Sequence, residues 1–248
     1  MKISYPVRIN KYLAHHNYST RIGGDDLVKK GIVFINGRKA ILGDKVNESD
    51  QVVVNFKGTK KEYVYYAYNK AIGISTNKDS NSRDILSVTK FPRENSVFPV
   101  GRLDKNSHGL IIMTNDGRVT DRLLSPKYVH EKEYVVKVEP NFSDKFIELM
   151  SNGVHFDGFI SKKCRVWPAS TQGGCNSKNT FHIVLTEGKK HQIRRMCEAL
   201  HHNVTNLKRI RIMNIELDKT PLGEFREIKG GELNEFLKLL NLFGDVGK

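Results

Sequence analysis

What the 248-residue chain lacks narrows its class before any motif is read. It has three cysteines, Cys164, Cys175 and Cys197, an odd number without C-x-x-C spacing, which argues against a disulfide framework and a structural zinc site. Reduced, mostly structural thiols are expected. The longest clearly apolar stretch, Leu110 to Met113, is far too short to cross a bilayer, and Lys2 to Arg8 offers no apolar core for a signal peptide. A soluble, cytoplasmic protein with no membrane contact is the expectation. No G-x-x-x-x-G-K-[ST] or G-x-G-x-x-G string occurs, so no nucleotide cofactor is indicated. The nine histidines include the adjacent pairs His15-His16 and His201-His202 and form no H-E-x-x-H pattern, so no metal is expected either. Acids are the scarcest charge: 27 Asp+Glu against 41 Lys+Arg leave a formal +14. That balance favours a polyanionic partner, and 38% apolar residues are enough for a folded core rather than a disordered basic tail.

The excess charge is concentrated. Residues 1–60 hold 11 Lys+Arg and 5 Asp+Glu, and residues 188–213 hold 7 and 1, whereas residues 61–187 hold 18 and 14. A charge run is usually a solvated face, but two foci flanking a near-neutral body favour a nucleic-acid clamp.

In the first focus, Val7, Ile9, Tyr12 and Leu13 fall near helical spacing with Arg8 and Lys11 on the other side, which reads as a short amphipathic helix. Asp25-Asp26-Leu-Val-Lys-Lys30 places acids early and bases late, as a helix dipole prefers, with Gly31 as a stop. Val33-Phe-Ile35, Asn36-Gly37 and Arg38-Lys-Ala40 form a hairpin signal, because both turn residues tolerate positive φ, and Val52-Val-Val54 adds a strand. Two short helices and a basic-tipped hairpin, followed by Leu42-Gly-Asp-Lys-Val46, resemble the S4 RNA-binding domain. The resemblance covers roughly residues 7–54 and implies RNA contacts from Arg8, Lys11, Arg21, Lys29, Lys30, Arg38 and Lys39. The expected division is an S4-like domain over 1–56, a polar linker over 57–62, a second domain over 63–243 and a tail over 244–248.

Tyr63 to Tyr68 is strand-like and runs into the turn Asn69-Lys-Ala-Ile-Gly73. Further on, Asp104 lies in a polar, glycine-bounded loop, Gly101-Arg-Leu-Asp-Lys-Asn-Ser-His-Gly109, just before an apolar strand. Alone, such an acid is an ordinary turn residue. The wider string, Gly101-Arg-Leu-Asp104 with Ser107 and Gly109-Leu110, resembles the central motif of the pseudouridine synthases. Two further stations follow in order: Glu131-Lys-Glu-Tyr134, and Glu187-Gly-Lys-Lys-His-Gln-Ile-Arg194-Arg-Met196. Arg226, followed by a helix with Leu233, Phe236, Leu237 and Leu240, fits the family's C-terminal end. With the S4 match, the resemblance spans nearly the whole chain. Residues 170–179, rich in Gly, Ser and Asn, read as a flexible loop.

The resemblance implies an α+β protein whose catalytic domain carries a mixed, mainly antiparallel sheet, and an enzyme that turns a uridine of RNA into pseudouridine. That reaction breaks the bond from ribose to uracil N1 and rejoins the base through C5 without a change of redox state, so no cofactor or metal is implied. Asp104 takes the catalytic role, either attacking C1′ or removing the C2′ proton. Arg194 is expected to pair with Asp104 and keep it ionised, and Tyr134 to relay the C5 proton. Ile193 would pack on the uracil face, Arg195 would meet phosphate, and Arg102 would help hold the nucleotide out of the stack. Within the family the strings around His191 and Arg209 point to 23S ribosomal RNA, with 16S ribosomal RNA or tRNA as alternatives, no DNA, and a monomer as the default. The rival class is an RNA-binding assembly factor that keeps the fold without the chemistry.

Overall fold

The N-terminal patterning produces two helices and a hairpin, with one shift. The computed structural model describes residues 4–16, 18–19, 21–55, 63–77, 83–92, 97–125, 127–171 and 174–242, with Arg21 and Ile22 by backbone alone. The expected linker 57–62, the tail 244–248 and the Arg21 side chain lie outside the described residues. The chain begins with β1 (Val7–Arg8), α1 (Ile9–His15), α2 (Arg21–Lys29), β2 (Val33–Ile35), β3 (Arg38–Lys39), β4 (Lys45–Val46) and β5 (Val52–Val54). Val7, counted above on the first helix, instead pairs with Val46 of β4. Asn36 and Gly37 adopt φ of 51° and 79°, as a type I′ hairpin between β2 and β3 requires, and Gly31 ends α2 at φ 67°. Val7, Ile9, Leu13, Leu27, Val28, Val33, Ile35, Ala40 and Val46 close a core of their own.

The remainder runs β6 (Tyr65–Lys70), α3 (Ile85–Val88), β7 (Phe98–Val100), β8 (His108–Thr114), α4 (Gly117–Leu124), β9 (Lys132–Glu139), α5 (Asp144–Asn152), β10 (His155–Phe156), β11 (Phe159–Ile160), β12 (Arg165–Ser170), β13 (Asn176–Leu185), α6 (Gln192–Ala199), β14 (Asn203–Ile212), β15 (Ile215–Glu216), β16 (Phe225–Glu227) and α7 (Gly230–Leu239). The main sheet has the order β12-β13-β9-β14-β8-β6-β16, with β15 beside β14 and β7 beside β8. Its pairs are antiparallel except β14 with β8, which is the mixed, mainly antiparallel sheet expected. The β13 strand starts at Asn176, inside the segment read as a loop.

Strand β8 explains the Leu110–Met113 run. Leu110 and Ile112 pack with Phe236, Leu237 and Leu240 of and beside α7, while Ile111 and Met113 pack with Tyr66, Tyr68 and Leu103 on the opposite face. A strand covered on both sides needs apolar residues without alternation. A third core gathers Val136, Phe181, Ile183, Phe146, Met150 and Ile193 between the sheet, α5 and α6. Arg226 is clasped by both oxygens of Glu232 at 2.6 Å, tying β16 to α7.

The N-terminal unit rests on α4. Lys11 Nζ lies 3.1 Å from Asp121 Oδ2, and Tyr63 donates its hydroxyl to the His15 carbonyl at 3.1 Å. Lys11, expected to face RNA, makes this contact with its side chain still exposed. Burial, followed by the nearby charge of His16 and Arg118, lowers the His15 pKa from 6.5 to about 4. The folded protein thus refuses a proton that the unfolded chain accepts, so stability is complete above the unfolded value and is lost as pH falls through the folded one. Urea midpoints should drop between about pH 7 and about pH 4.5, and drop less in His15→Gln. Equal drops in both proteins would show that His15 does not titrate on folding.

Candidate active site

Asp104 sits in the 101–107 loop between β7 and β8, and its backbone is pinned from both sides. The Thr76 hydroxyl donates to the Leu103 carbonyl at 2.6 Å and accepts the Leu103 N–H at 3.1 Å. The Lys105 carbonyl accepts the Gly73 N–H at 2.8 Å, and the Asp104 carbonyl accepts the Ser107 N–H at 2.9 Å. Beneath this loop pair, the fully buried Lys70 donates Nζ to the Ala71 and Ile74 carbonyls, each at 2.8 Å. Burial pulls the Lys70 pKa down to about 8, with Asp104 opposing that shift. A carboxylate on a rigidly held loop is the arrangement that chemistry at a fixed carbon requires.

Arg194, on α6, does not pair with Asp104 as expected. Its guanidinium donates to the Asn106 carbonyl at 2.9 Å and the Val204 carbonyl at 3.0 Å. The planar fork bridges α6, β14 and the Asp104 loop through backbone oxygens, which makes Arg194 a positioning residue. Among the described residues, the basic group nearest the Asp104 carboxylate is His191, whose Nε2 lies 3.8 Å from Oδ1. His191 precedes α6 at φ 54° and makes no capping hydrogen bond from its side chain. A non-glycine residue in that backbone region is uncommon, and here it turns the imidazole toward the acid. Glycine tolerates the same backbone, so His191→Gly should leave α6 intact. RNA affinity should hold while kcat falls about two- to fivefold, the worth of a half-exposed polar contact. Added imidazole should restore part of the loss; full activity in the variant would remove His191 from the site.

The carboxylate opens onto a cavity of about 810 Å³ that Arg102, Lys132, Tyr134, Ile193 and Arg209 also line. A smaller recess of about 360 Å³ adjoins it at Asp104, Thr76 and Arg194. This is room for a nucleotide withdrawn from a helix. Tyr134 leaves β9 toward the cavity, and its hydroxyl has no hydrogen-bond partner among the described residues. Ile193 is 4% exposed and serves both readings at once, packing with Met196 and Cys197 while presenting an apolar wall to the cavity. Arg102 is exposed at the mouth.

Two expected phosphate contacts change character. Arg195 is held by an ion pair with Asp157 and lies 4.9 Å over the Phe156 ring, so its charge is already answered within the protein. Arg38 pairs with Asp44 at 2.9 Å. Arg8, Lys29, Lys30 and Lys39 are exposed.

Arg209 was not assigned a role from the sequence. It faces Tyr134 across the β14–β9 ladder and is 3% exposed, donating Nε to the Leu110 carbonyl at 2.7 Å and Nη1 to the Arg102 carbonyl at 3.4 Å. The register shifts between Arg209 and Arg211, and this bulge turns Arg211 onto the other face of the sheet. There Arg211 meets Glu133 at 2.9 Å and Glu131 at 3.1 Å.

The family described as RNA pseudouridylate synthase matches residues 64–199. The chain is 38% identical over 239 residues to the dual-specificity RNA pseudouridine synthase RluF of Escherichia coli (strain K12), covering 94% of this chain and 79% of that protein. It is 34% identical over 248 residues to the ribosomal large subunit pseudouridine synthase B of Bacillus subtilis (strain 168), covering 97% and 98%. A crystal structure of a pseudouridylate synthase shares the fold with a TM-score of 0.66 over 94% of this chain and 99% of that one, at 24% identity. A pinned loop carboxylate facing a nucleotide-sized cavity, on a sequence and fold held in common with these proteins, makes the chain a member of the RNA pseudouridylate synthase family, enzymes that isomerise uridine in RNA to pseudouridine.

Proposed function

We propose that this protein converts a uridine of 23S ribosomal RNA to pseudouridine, with Asp104 as the catalytic carboxylate. The observation that carries the reading is the placement of Asp104, Tyr134 and Ile193 on one cavity. Asp104 acts at the sugar, Ile193 supports the face of the uracil, and Tyr134 takes or relays the proton that leaves C5 after reattachment. Arg102, exposed at the mouth, meets the flipped nucleotide's backbone. Arg194 holds the loop, and His191 stands beside the carboxylate at the place first assigned to Arg194.

Support for a large-subunit target comes from the name of the Bacillus subtilis relative. The designation "dual-specificity" of the RluF relatives favours a second RNA, for which a tRNA is the candidate. Residues 1–56 act as an S4-type module that adds RNA affinity through Arg8, Lys29, Lys30 and Lys39, and residues 63–243 act as the catalytic domain, working as a monomer in the cytoplasm. Pseudouridine mapping of RNA from cells lacking the protein tests the assignment. One 23S position should revert to uridine and return on complementation. An unchanged 23S map with a lost tRNA position would overturn the primary target.

A further inference from the structure

Two cations that line the cavity have no carboxylate partner among the described residues. Arg209 is 3% exposed, and its Nη2 makes no hydrogen bond although it is buried. An unanswered buried guanidinium N–H is costly, and such groups in native structures call for an explanation. Lys132 lies two residues before Tyr134 on β9, so both leave the same face of the strand, and Arg209 is directly across from Tyr134. Lys132 makes no hydrogen bond or ion pair among the described residues, and burial, then the charge of Arg209, brings its pKa down to about 8. Two like charges in a half-dry wall, each without a carboxylate, are arranged for an acceptor that arrives with the substrate.

We infer that Lys132 and Arg209 form an anion-stabilising pair for the departing uracil, donating to its carbonyl oxygens as the bond to ribose breaks. The inference rests on the isomerase reading and specifies how that site handles charge. When the C1′–N1 bond breaks, its electron pair leaves with the base, and one negative charge spreads over N1, O2 and O4. C1′ is satisfied either by a new bond to an Asp104 oxygen or, after Asp104 removes the C2′ proton, by a C1′–C2′ double bond. The rotated uracil then uses electrons at C5 to bond C1′ as the C1′–O bond to Asp104 breaks or, on the other route, as Asp104 returns its proton to C2′ and the double bond is lost; the C5 proton departs, and N1 gains a proton. The charge on uracil exists only between cleavage and reattachment, so donors preset for it lower the barrier more than they improve binding. The same donors disfavour cytosine, which presents an amino group where uracil presents O4.

The test compares wild type with Lys132→Met, which removes the charge at similar length, on target RNA carrying either uridine or 5-fluorouridine. Single-turnover loss of the N-linked nucleoside is read after digestion. On uridine the variant should be slower by about a hundred- to a thousandfold, with RNA affinity and urea midpoint retained. Fluorine makes the departing base less basic, so it needs less help, and the deficit should shrink clearly on 5-fluorouridine. An equal deficit on both substrates would overturn the inference. So would weakened RNA binding with a reduced salt slope, which marks a phosphate contact. Arg209→Lys, which keeps the charge but alters the donor geometry, should show the same shrinking deficit more weakly. If wild type itself converts neither substrate, the isomerase reading fails; if wild type turns over and Lys132→Met matches it, only this inference fails.

Discussion

Asp104→Asn is expected to bind RNA as wild type does and to lose turnover by about 10,000-fold or more, as enzymes do on losing the group that touches the reacting atom. The amide keeps the volume of the carboxylate and can still occupy the pinned loop, whose anchors are backbone groups of Leu103, Lys105 and Asn106. What it lacks is the negative charge that either attacks C1′ or accepts the C2′ proton. Affinity should survive because the exposed basic residues of the N-terminal unit are untouched. Filter binding with single-turnover assays on the same preparation separates the two quantities. Turnover within about tenfold of wild type would move the chemistry to another residue.

Gly109→Ala should destabilise the protein by about 3–5 kcal/mol, lowering its melting temperature by roughly 10 °C or preventing folding. Gly109, the second residue of β8, has φ 104° and lies directly beside Arg209 in the parallel β14 pairing. A Cβ built there would stand 2.2 Å from the Arg209 carbonyl oxygen and 2.9 Å from its nitrogen. Neither strand can yield without opening the sheet at the point that carries both the Asp104 loop and Arg209. Gly73→Ala is the control: its φ is 85°, but nothing lies within 4 Å of the added carbon, so only the backbone preference is lost, about 1 kcal/mol. Similar melting temperatures for the two variants would refute the close-approach argument.

Much of this was legible in the sequence because the signals are local. The Asn36-Gly37 turn and the Leu110–Met113 strand depend on backbone preference and burial, and both appear where the residues placed them. Asp104 stood out through the resemblance of Gly101-Arg-Leu-Asp104 to the family motif, and the cavity opens there. What the sequence hid depends on partners distant along the chain. Lys11 and Arg195 looked like free cations, and their carboxylates, Asp121 and Asp157, come from other elements. The clamp from Thr76 and the buried Lys70 reach Asp104 only through the pairing of two loops. Arg209 and Arg211 are two residues apart, so a regular strand would put them on one face; a bulge sends one to the cavity and the other to Glu133. Arg194 took its assignment from the resemblance to the family's third motif, and the fold supplies it with carbonyl acceptors.

The central claim is that this cavity performs uridine isomerisation rather than RNA binding alone. Release of tritium from 23S ribosomal RNA labelled at uridine C5 tests it most directly, because the hydrogen at C5 leaves only when the base has been reattached through that carbon. Purified protein should release label equal to one uridine per RNA, and Asp104→Asn should release none above background. Tight binding of the RNA by wild type with no release of label would contradict the account and leave an RNA-binding protein on a synthase fold.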